Sequence, residues 1–114
     1  METQDKSNAP LSALIVGAGA WGTAIANVFA RGGCTAYLWD NNSDLILEMQ
    51  KRGCHPTFCP EIALEETVLP LLDLNELEVF CTVFVAPFQN LRAAAEIIKS
   101  SSIRSKFIVS ASKG

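Results

Sequence analysis

Gly17-Ala18-Gly19-Ala20-Trp21-Gly22 places glycines at the first, third and sixth positions of one short segment. Glycines at that spacing suit a turn that receives a pyrophosphate. Gly17 permits a tight bend out of the preceding residues. Gly19 has no Cβ, so the backbone there can approach an anion closely, and Gly22 lets a following helix lie close against a strand. The free N–H groups near Ala20 and Trp21 would point at that anion, helped by the helix dipole. Asp40 lies 18 residues beyond Gly22, near the spacing of about 20 at which an acid accepts hydrogen bonds from a dinucleotide ribose. A carboxylate there repels a 2′-phosphate, which favours NAD over NADP. Asn41 could touch the same ribose. No Lys or Arg follows Asp40 until Lys51, so no clamp for a 2′-phosphate is evident. Plainer readings stand beside these: an ordinary glycine turn, and a solvated turn acid.

The glycine pattern gains meaning only with a strand before it and a helix opening inside it. The short apolar run Leu11–Val16 reads as a buried parallel strand. Trp21, Ala24, Ile25, Val28 and Phe29 share one face of a helix spanning Ala20–Arg31, and Gly32-Gly33 ends it. Thr35–Trp39 is the second strand, with Asp40 at its carboxyl end. Ser43 is placed to cap a helix over Asp44–Lys51. Gly53–Pro60 reads as a loop punctuated by Pro56 and Pro60, and Thr67–Leu69 as a short third strand that ends at Pro70. A brief helix is expected over Asp73–Glu78. The clearest buried strand is Val79–Ala86, stopped by Pro87. A helix over Leu91–Lys99 and a strand over Lys106–Ser110 complete the chain. Alternation of this kind predicts an α/β fold, a doubly wound parallel sheet of Rossmann type forming a single domain. Its ligand would sit at the carboxyl ends of the strands.

Composition agrees with one such domain. The chain has 114 residues, 49% hydrophobic and 18% charged, with a net charge of -3, which suits a packed core. No basic stripe is present to neutralise phosphates, so nucleic acid is not expected as a partner. No run approaches the roughly 20 apolar residues of a membrane helix. Met1–Pro10 reads as a polar, flexible leader rather than a secretion signal, and the domain as residues 11–114. The cytoplasm is therefore the expected compartment, with Cys34, Cys54, Cys59 and Cys81 as free thiols. Cys34 and Cys81 read as small core residues. Cys54, His55 and Cys59 lack the paired spacing of structural zinc, so no metal is expected and His55 reads as a loop residue. Glu61, Glu65 and Glu66 read as a solvated acidic cluster.

Four segments carry a narrower resemblance. Gly17–Ala24 resembles the G-x-G-x-[WY]-G-[TS]-A signature of NAD-dependent glycerol-3-phosphate dehydrogenases. Leu38-Trp39 resembles their tryptophan-containing second strand. Val85-Ala86-Pro87-Phe88-Gln89 resembles the family's V-x-P-x-[QH] turn, and Ser110–Gly114 its T-K-G segment with Ser112 for the usual threonine. The resemblance spans Leu11–Gly114. One stretch departs: where the family has N-x-x-[YF]-L-P, this chain has His55, Phe58, Cys59 and Pro60. The resemblance implies NAD as cofactor, glycerol 3-phosphate and dihydroxyacetone phosphate as small-molecule substrates, and a product that feeds glycerophospholipid synthesis. It puts Pro87 and Phe88 near the nicotinamide half, and Lys113 against both cofactor and substrate. It is compatible with a homodimer of the full-length protein.

The family's enzymes continue into a helical domain that supplies the general-base lysine and holds the substrate phosphate. The sequence ends at Gly114, so no catalytic base is expected within it, and a fragment or a truncated product is the expectation. Trp21 reads either as a core aromatic or as a lid over the cofactor phosphates. Phe88 either approaches the nicotinamide or simply packs, and Trp39 reads as core. Two other functions compete: the cofactor domain of another β-hydroxyacid-type dehydrogenase, and a stand-alone NAD-binding module without catalysis.

Overall fold

The computed structural model describes residues 11–74, 76–85 and 103–111, together with Arg92, Glu96 and Lys99. Five strands form one parallel sheet: β1 (Ser12–Val16), β2 (Thr35–Trp39), β5 (Val68–Pro70), β6 (Leu77–Phe84) and β7 (Ile103–Ser110). Their order is β5-β2-β1-β6-β7. The chain therefore runs from β1 toward one edge, returns beside β1, and runs toward the other edge. That is the doubly wound order expected from the alternation, and right-handed crossovers place the connections of the two halves on opposite faces.

Side chains alternate across the sheet and bury on both faces. Ala13 and Ile15 of β1 join Ala36 and Leu38 of β2, Val68 and Val83 in one cluster. Helix α1 (Ala20–Arg31) adds Ala26 to it, and helix α2 (Ser43–Arg52) adds Ile46 and Met49. Leu14, Val16, Trp39, Leu74, Val79 and Phe84 form the second cluster, on the other face. A strand buried on both faces shows no polar alternation, which is why Ala13–Val16 is an unbroken apolar run. Trp39 is core, as expected. Cys81 packs half-buried against the first cluster. Burial first, and then the neighbouring Cys34, push its thiol above the usual cysteine value.

Several elements differ from the sequence expectation, each for a local reason. Helix α2 begins at Ser43, and the cap is Asn42, whose Oδ1 accepts the Leu45 N–H at 3.2 Å. Both residues are good caps; the one whose oxygen reaches the third helical N–H takes the role. Gly53, at φ 70, ends the helix in the left-handed region. The stretch expected to be a loop is an antiparallel hairpin of β3 (Cys54–His55) and β4 (Cys59–Ala63). No helix forms over the described residues of 73–78. Leu74 is buried in the second cluster, Glu76 takes a left-handed φ of 58, and Leu77 and Glu78 already belong to β6. Strand β7 begins at Ile103, because Ile103, Arg104 and Ser105 pair with Leu77, Glu78 and Val79. Of the helix expected over 91–99, the described residues Arg92, Glu96 and Lys99 are helical and exposed. They recur at the spacing of one helix face. The leader 1–10 lies outside the described residues.

Candidate functional site

The strand order reverses between β1 and β6, and the glycine segment leaves the carboxyl end of β1 at that point. Parallel sheets bind ligands in the crevice outside such a reversal. The Gly17 N–H donates to the Trp39 carbonyl at 2.8 Å, carrying the β1–β2 ladder one rung past Val16. Gly17 then turns the chain with φ 121, a conformation open to glycine and costly for other residues. Ala18 is fully buried in the first cluster. Gly19 is the N-cap of α1, and the first intrahelical bond is Thr23 N–H to the Gly19 carbonyl at 3.0 Å. The N–H groups of Ala20, Trp21 and Gly22 precede any intrahelical acceptor. No side chain caps this end and no acid stands in the first turn.

The three glycines do different work, and the geometry separates them. Among the described residues, a Cβ on Gly19 would meet nothing within 4 Å: it would project into open space beside the exposed helix start. A Cβ on Gly22 would collide with the Gly17 carbonyl oxygen and lie 3.0 Å from its carbonyl carbon. Gly22 therefore lets α1 pack directly on the turn, while Gly19 keeps the space in front of the turn clear. An anion placed there would face unpartnered N–H groups at the positive end of the helix dipole.

Asp40, half-buried at the end of β2, does more than face solvent. Its Oδ2 accepts the Ala18 N–H at 2.7 Å, and its Oδ1 accepts the Asn42 N–H at 2.9 Å. Asp40 thus joins the glycine turn to the capping residue of α2. Sequence reasoning missed Ala18 and Asn42 as parts of this arrangement. The aspartate-to-second-residue bond is an Asx turn, a recognisable sequence signal; the bond to Ala18 crosses 22 residues and leaves no local signal.

Trp21 is 63% exposed on the first turn of α1, so the core reading of its side chain is corrected. It stands where Gly22 and Thr23 face the sheet and it does not. Ala20 and Asn41 are also exposed beside the turn. The structure thus gathers Gly17, Gly19, Ala20, Trp21, Gly22, Asp40 and Asn41 at one end of the sheet. Pro87, Phe88 and Lys113 lie outside the described residues.

His55 is not an open loop residue: it is 2% exposed and closes β3, the first strand of the hairpin. Its Nδ1 accepts the N–H groups of Thr57 at 3.2 Å and Phe58 at 3.1 Å, and its ring meets that of Phe58 at a tilt of 50°, centroids 4.9 Å apart. An asparagine oxygen can accept the same two donors, which gives the His55 departure a physical rationale. Of the acidic cluster, Glu65 pairs with Arg31 at 3.0 Å and its N–H is held by Asn27 Oδ1. Among the described residues no group of three or more His, Cys, Asp or Glu is arranged to hold a metal ion. No helix among them is long and apolar enough to cross a membrane.

The profile of the family described as NAD-dependent glycerol-3-phosphate dehydrogenase N-terminus matches residues 12–114. The chain belongs to this family. A glycerol-3-phosphate dehydrogenase [NAD(P)+] of Azorhizobium caulinodans is 39% identical over 101 residues, covering 88% of this chain and 31% of that protein. One of Syntrophotalea carbinolica is 32% identical over 102 residues, with the same two shares of 88% and 31%. The crystal structure of glycerol-3-phosphate dehydrogenase from Coxiella burnetii superposes with a TM-score of 0.81 at 30% identity, over 92% of this chain and 33% of that one. The chain spans about a third of the length of these relatives. Membership agrees with the glycine signature, the tryptophan of β2 and the doubly wound order, and nothing in the comparisons favours the rival dehydrogenase or the non-catalytic module.

Proposed function

We propose that this chain is the cofactor-binding part of an oxidoreductase that interconverts sn-glycerol 3-phosphate and dihydroxyacetone phosphate with NAD(H). The observation that carries this reading is the clear space before Gly19 at an uncapped helix start, with Asp40 across from it on the next strand. That cradle fits a dinucleotide. The turn from Gly17 to Gly22 would hold the pyrophosphate through its N–H groups, with Trp21 beside it. Asp40 and Asn41 would take the adenine ribose. Pro87 and Phe88 would border the nicotinamide half, and Lys113 would meet both cofactor and substrate. When bound, the nicotinamide exchanges a hydride with the C2 carbon; the residues of this chain bind and orient. In this reading the protein works in the cytoplasm on a small-molecule substrate, as a homodimer at full length, and its product feeds glycerophospholipid synthesis.

Turnover needs a general base within hydrogen-bond reach of the substrate hydroxyl and a wall that holds the reacting carbon near the nicotinamide. In the family both come from the helical domain. The 114-residue chain alone is therefore expected to leave NADH unoxidised in the presence of dihydroxyacetone phosphate. The same chain fused to the helical domain of a relative should oxidise it. Turnover by the short chain would show that Lys113 or another of its own residues serves as base. No turnover by an NADH-binding fusion would count against this substrate.

The curated relatives are named for NAD(P)+, whereas this chain carries Asp40 with each carboxylate oxygen fixed by a backbone N–H. A carboxylate so held cannot readily swing away from a 2′-phosphate, and facing like charges are costly. The chain is expected to bind NADH at least about tenfold more tightly than NADPH, measured by nucleotide fluorescence titration. Equal affinities would remove Asp40 from the ribose site.

A further inference from the structure

We propose that Asp40 is a positioning residue for the phosphate-binding turn itself, acting as a strut that sets affinity for the pyrophosphate as well as for the ribose. The inference rests on the reading of the Gly17–Gly22 turn as the pyrophosphate site.

Strand β2 spends its last backbone acceptor, the Trp39 carbonyl, on the Gly17 N–H. The next donor along the turn is the Ala18 N–H. Gly17 at φ 121 turns the chain so that this N–H faces back toward β2, and Ala18 is itself fully buried. A buried N–H without an acceptor is destabilising by about 1–3 kcal/mol, and no backbone carbonyl of β2 remains in register to meet it. Asp40 Oδ2 meets it at 2.7 Å, the short distance of a charge-assisted bond. The other oxygen is held by Asn42 N–H at 2.9 Å, and Asn42 caps α2 through Leu45. The carboxylate therefore links three pieces: the turn that opens α1, the end of β2, and the start of α2. The turn can present the N–H groups of Ala20 and Trp21 in one fixed direction because Ala18, immediately before Gly19, is anchored.

A carboxylate this close to an anion-binding turn would by charge alone weaken anion binding. This makes the sign of the Asp40→Ala effect informative. If Asp40 served the ribose only, removing its charge would leave the affinity for inorganic pyrophosphate unchanged or raise it. If Asp40 is the strut, the freed Ala18 N–H loosens the turn and that affinity falls.

The test uses the 114-residue chain and its Asp40→Ala and Asp40→Asn variants, titrated with NADH and with inorganic pyrophosphate, which has no ribose. Asp40→Ala is expected to lose about tenfold in pyrophosphate affinity and more in NADH affinity. Asp40→Asn keeps one acceptor oxygen and should fall between the two. The backbone amide proton of Ala18 gives an independent readout: in the unmodified chain it should resonate downfield and exchange slowly with solvent, and in Asp40→Ala it should lose both properties. Pyrophosphate affinity equal to or above the original in Asp40→Ala, with NADH bound by the unmodified chain, overturns the strut while leaving the site reading intact. Failure of the unmodified chain to bind NADH overturns the site reading and the strut with it. Should Asp40→Ala not fold, the Ala18 amide decides: a slowly exchanging downfield resonance in the unmodified chain supports the strut, and an ordinary fast-exchanging one overturns it.

Discussion

Gly22→Ala is expected to destabilise the domain more than a methyl group added at Gly19, Gly32, Gly33 or Gly53. The new Cβ would overlap the Gly17 carbonyl oxygen and stand 3.0 Å from the carbonyl carbon, with Ile15 Cγ2 behind at 3.6 Å. The obstructing atoms are backbone, so no side-chain rotation relieves the clash. Helix α1 must move away from β1, and the move opens the cluster in which Ala26 meets Ala13, Ile15 and Ala36. Overpacking a tight contact costs about 1–3 kcal/mol, and more where the neighbours are rigid. A loss of about 3 kcal/mol or more is expected here, read as a fall of about 10 °C or more in the thermal midpoint. Gly32→Ala is the control, since a Cβ there would come no closer than 3.5 Å to the Phe29 carbonyl oxygen and the residue sits at φ -82. If Gly22→Ala melts with the unmodified chain, the close approach of α1 to the turn is wrong.

The residues that make Gly22 indispensable are the ones most visible in the sequence. Glycines at positions 17, 19 and 22 demand a strand, a turn and a helix in that order, and the bounds expected for α1 and β2 are those observed. Gly32-Gly33 stops α1, with Gly33 at φ 99. Breakers and the turn agree over this first unit and set its bounds, but the apolar periodicity names the wrong face: Trp21, Ala24 and Val28 are exposed, and Gly22, Thr23, Ala26 and Asn27 are the buried residues of α1. Farther along the signals conflict. Asp73–Glu78 has helix-forming residues, yet Leu74 and Leu77 gain more from the second cluster than a short isolated helix could return. Pro56 and Pro60 suggest a loop, yet the hairpin accommodates both. Pro56 falls in the turn, and Pro60 lies in β4 of a two-stranded sheet, where every strand is an edge. The start of β7 depends on Leu77–Val79, partners about 26 residues away that no window around Ile103 contains.

The candidate site was legible in the same uneven way. The residue types were readable because each supplies a property no neighbour has: a missing Cβ at Gly19, a carboxylate at Asp40. Their connections were not. Nothing near position 18 says that its N–H will need a side-chain acceptor, because the need arises only once Gly17 has taken the last carbonyl of β2. His55 shows the same limit. Next to Cys54 and Cys59 it suggests a metal ligand or a loose loop residue, while its ring nitrogen holds the hairpin turn through two backbone donors.

Gly19→Val is expected to give the opposite result from Gly22→Ala: a folded domain that no longer binds NADH. Gly19 sits at φ -76, ψ -166, extended backbone that a β-branched residue adopts readily. A Cβ placed there meets no atom of the described residues within 4 Å, so their packing has nothing to lose. The valine methyls would instead fill the space in front of Ala20 and Trp21, where a pyrophosphate has to lie to reach the first-turn N–H groups. Excluding the anion from two charge-assisted bonds, each contributing about 1.5–3 kcal/mol, weakens binding by about 100-fold or more. Far-UV circular dichroism and the thermal midpoint should match the unmodified chain to within about 2 °C, while the NADH fluorescence titration becomes flat over the range that saturates the unmodified chain. Gly19→Ala, with a single methyl group in the same space, should lie between the two. Unchanged NADH affinity in Gly19→Val would move the phosphate site away from the turn, and a fall in the midpoint matching that of Gly22→Ala would show that the space before Gly19 is filled by the protein itself.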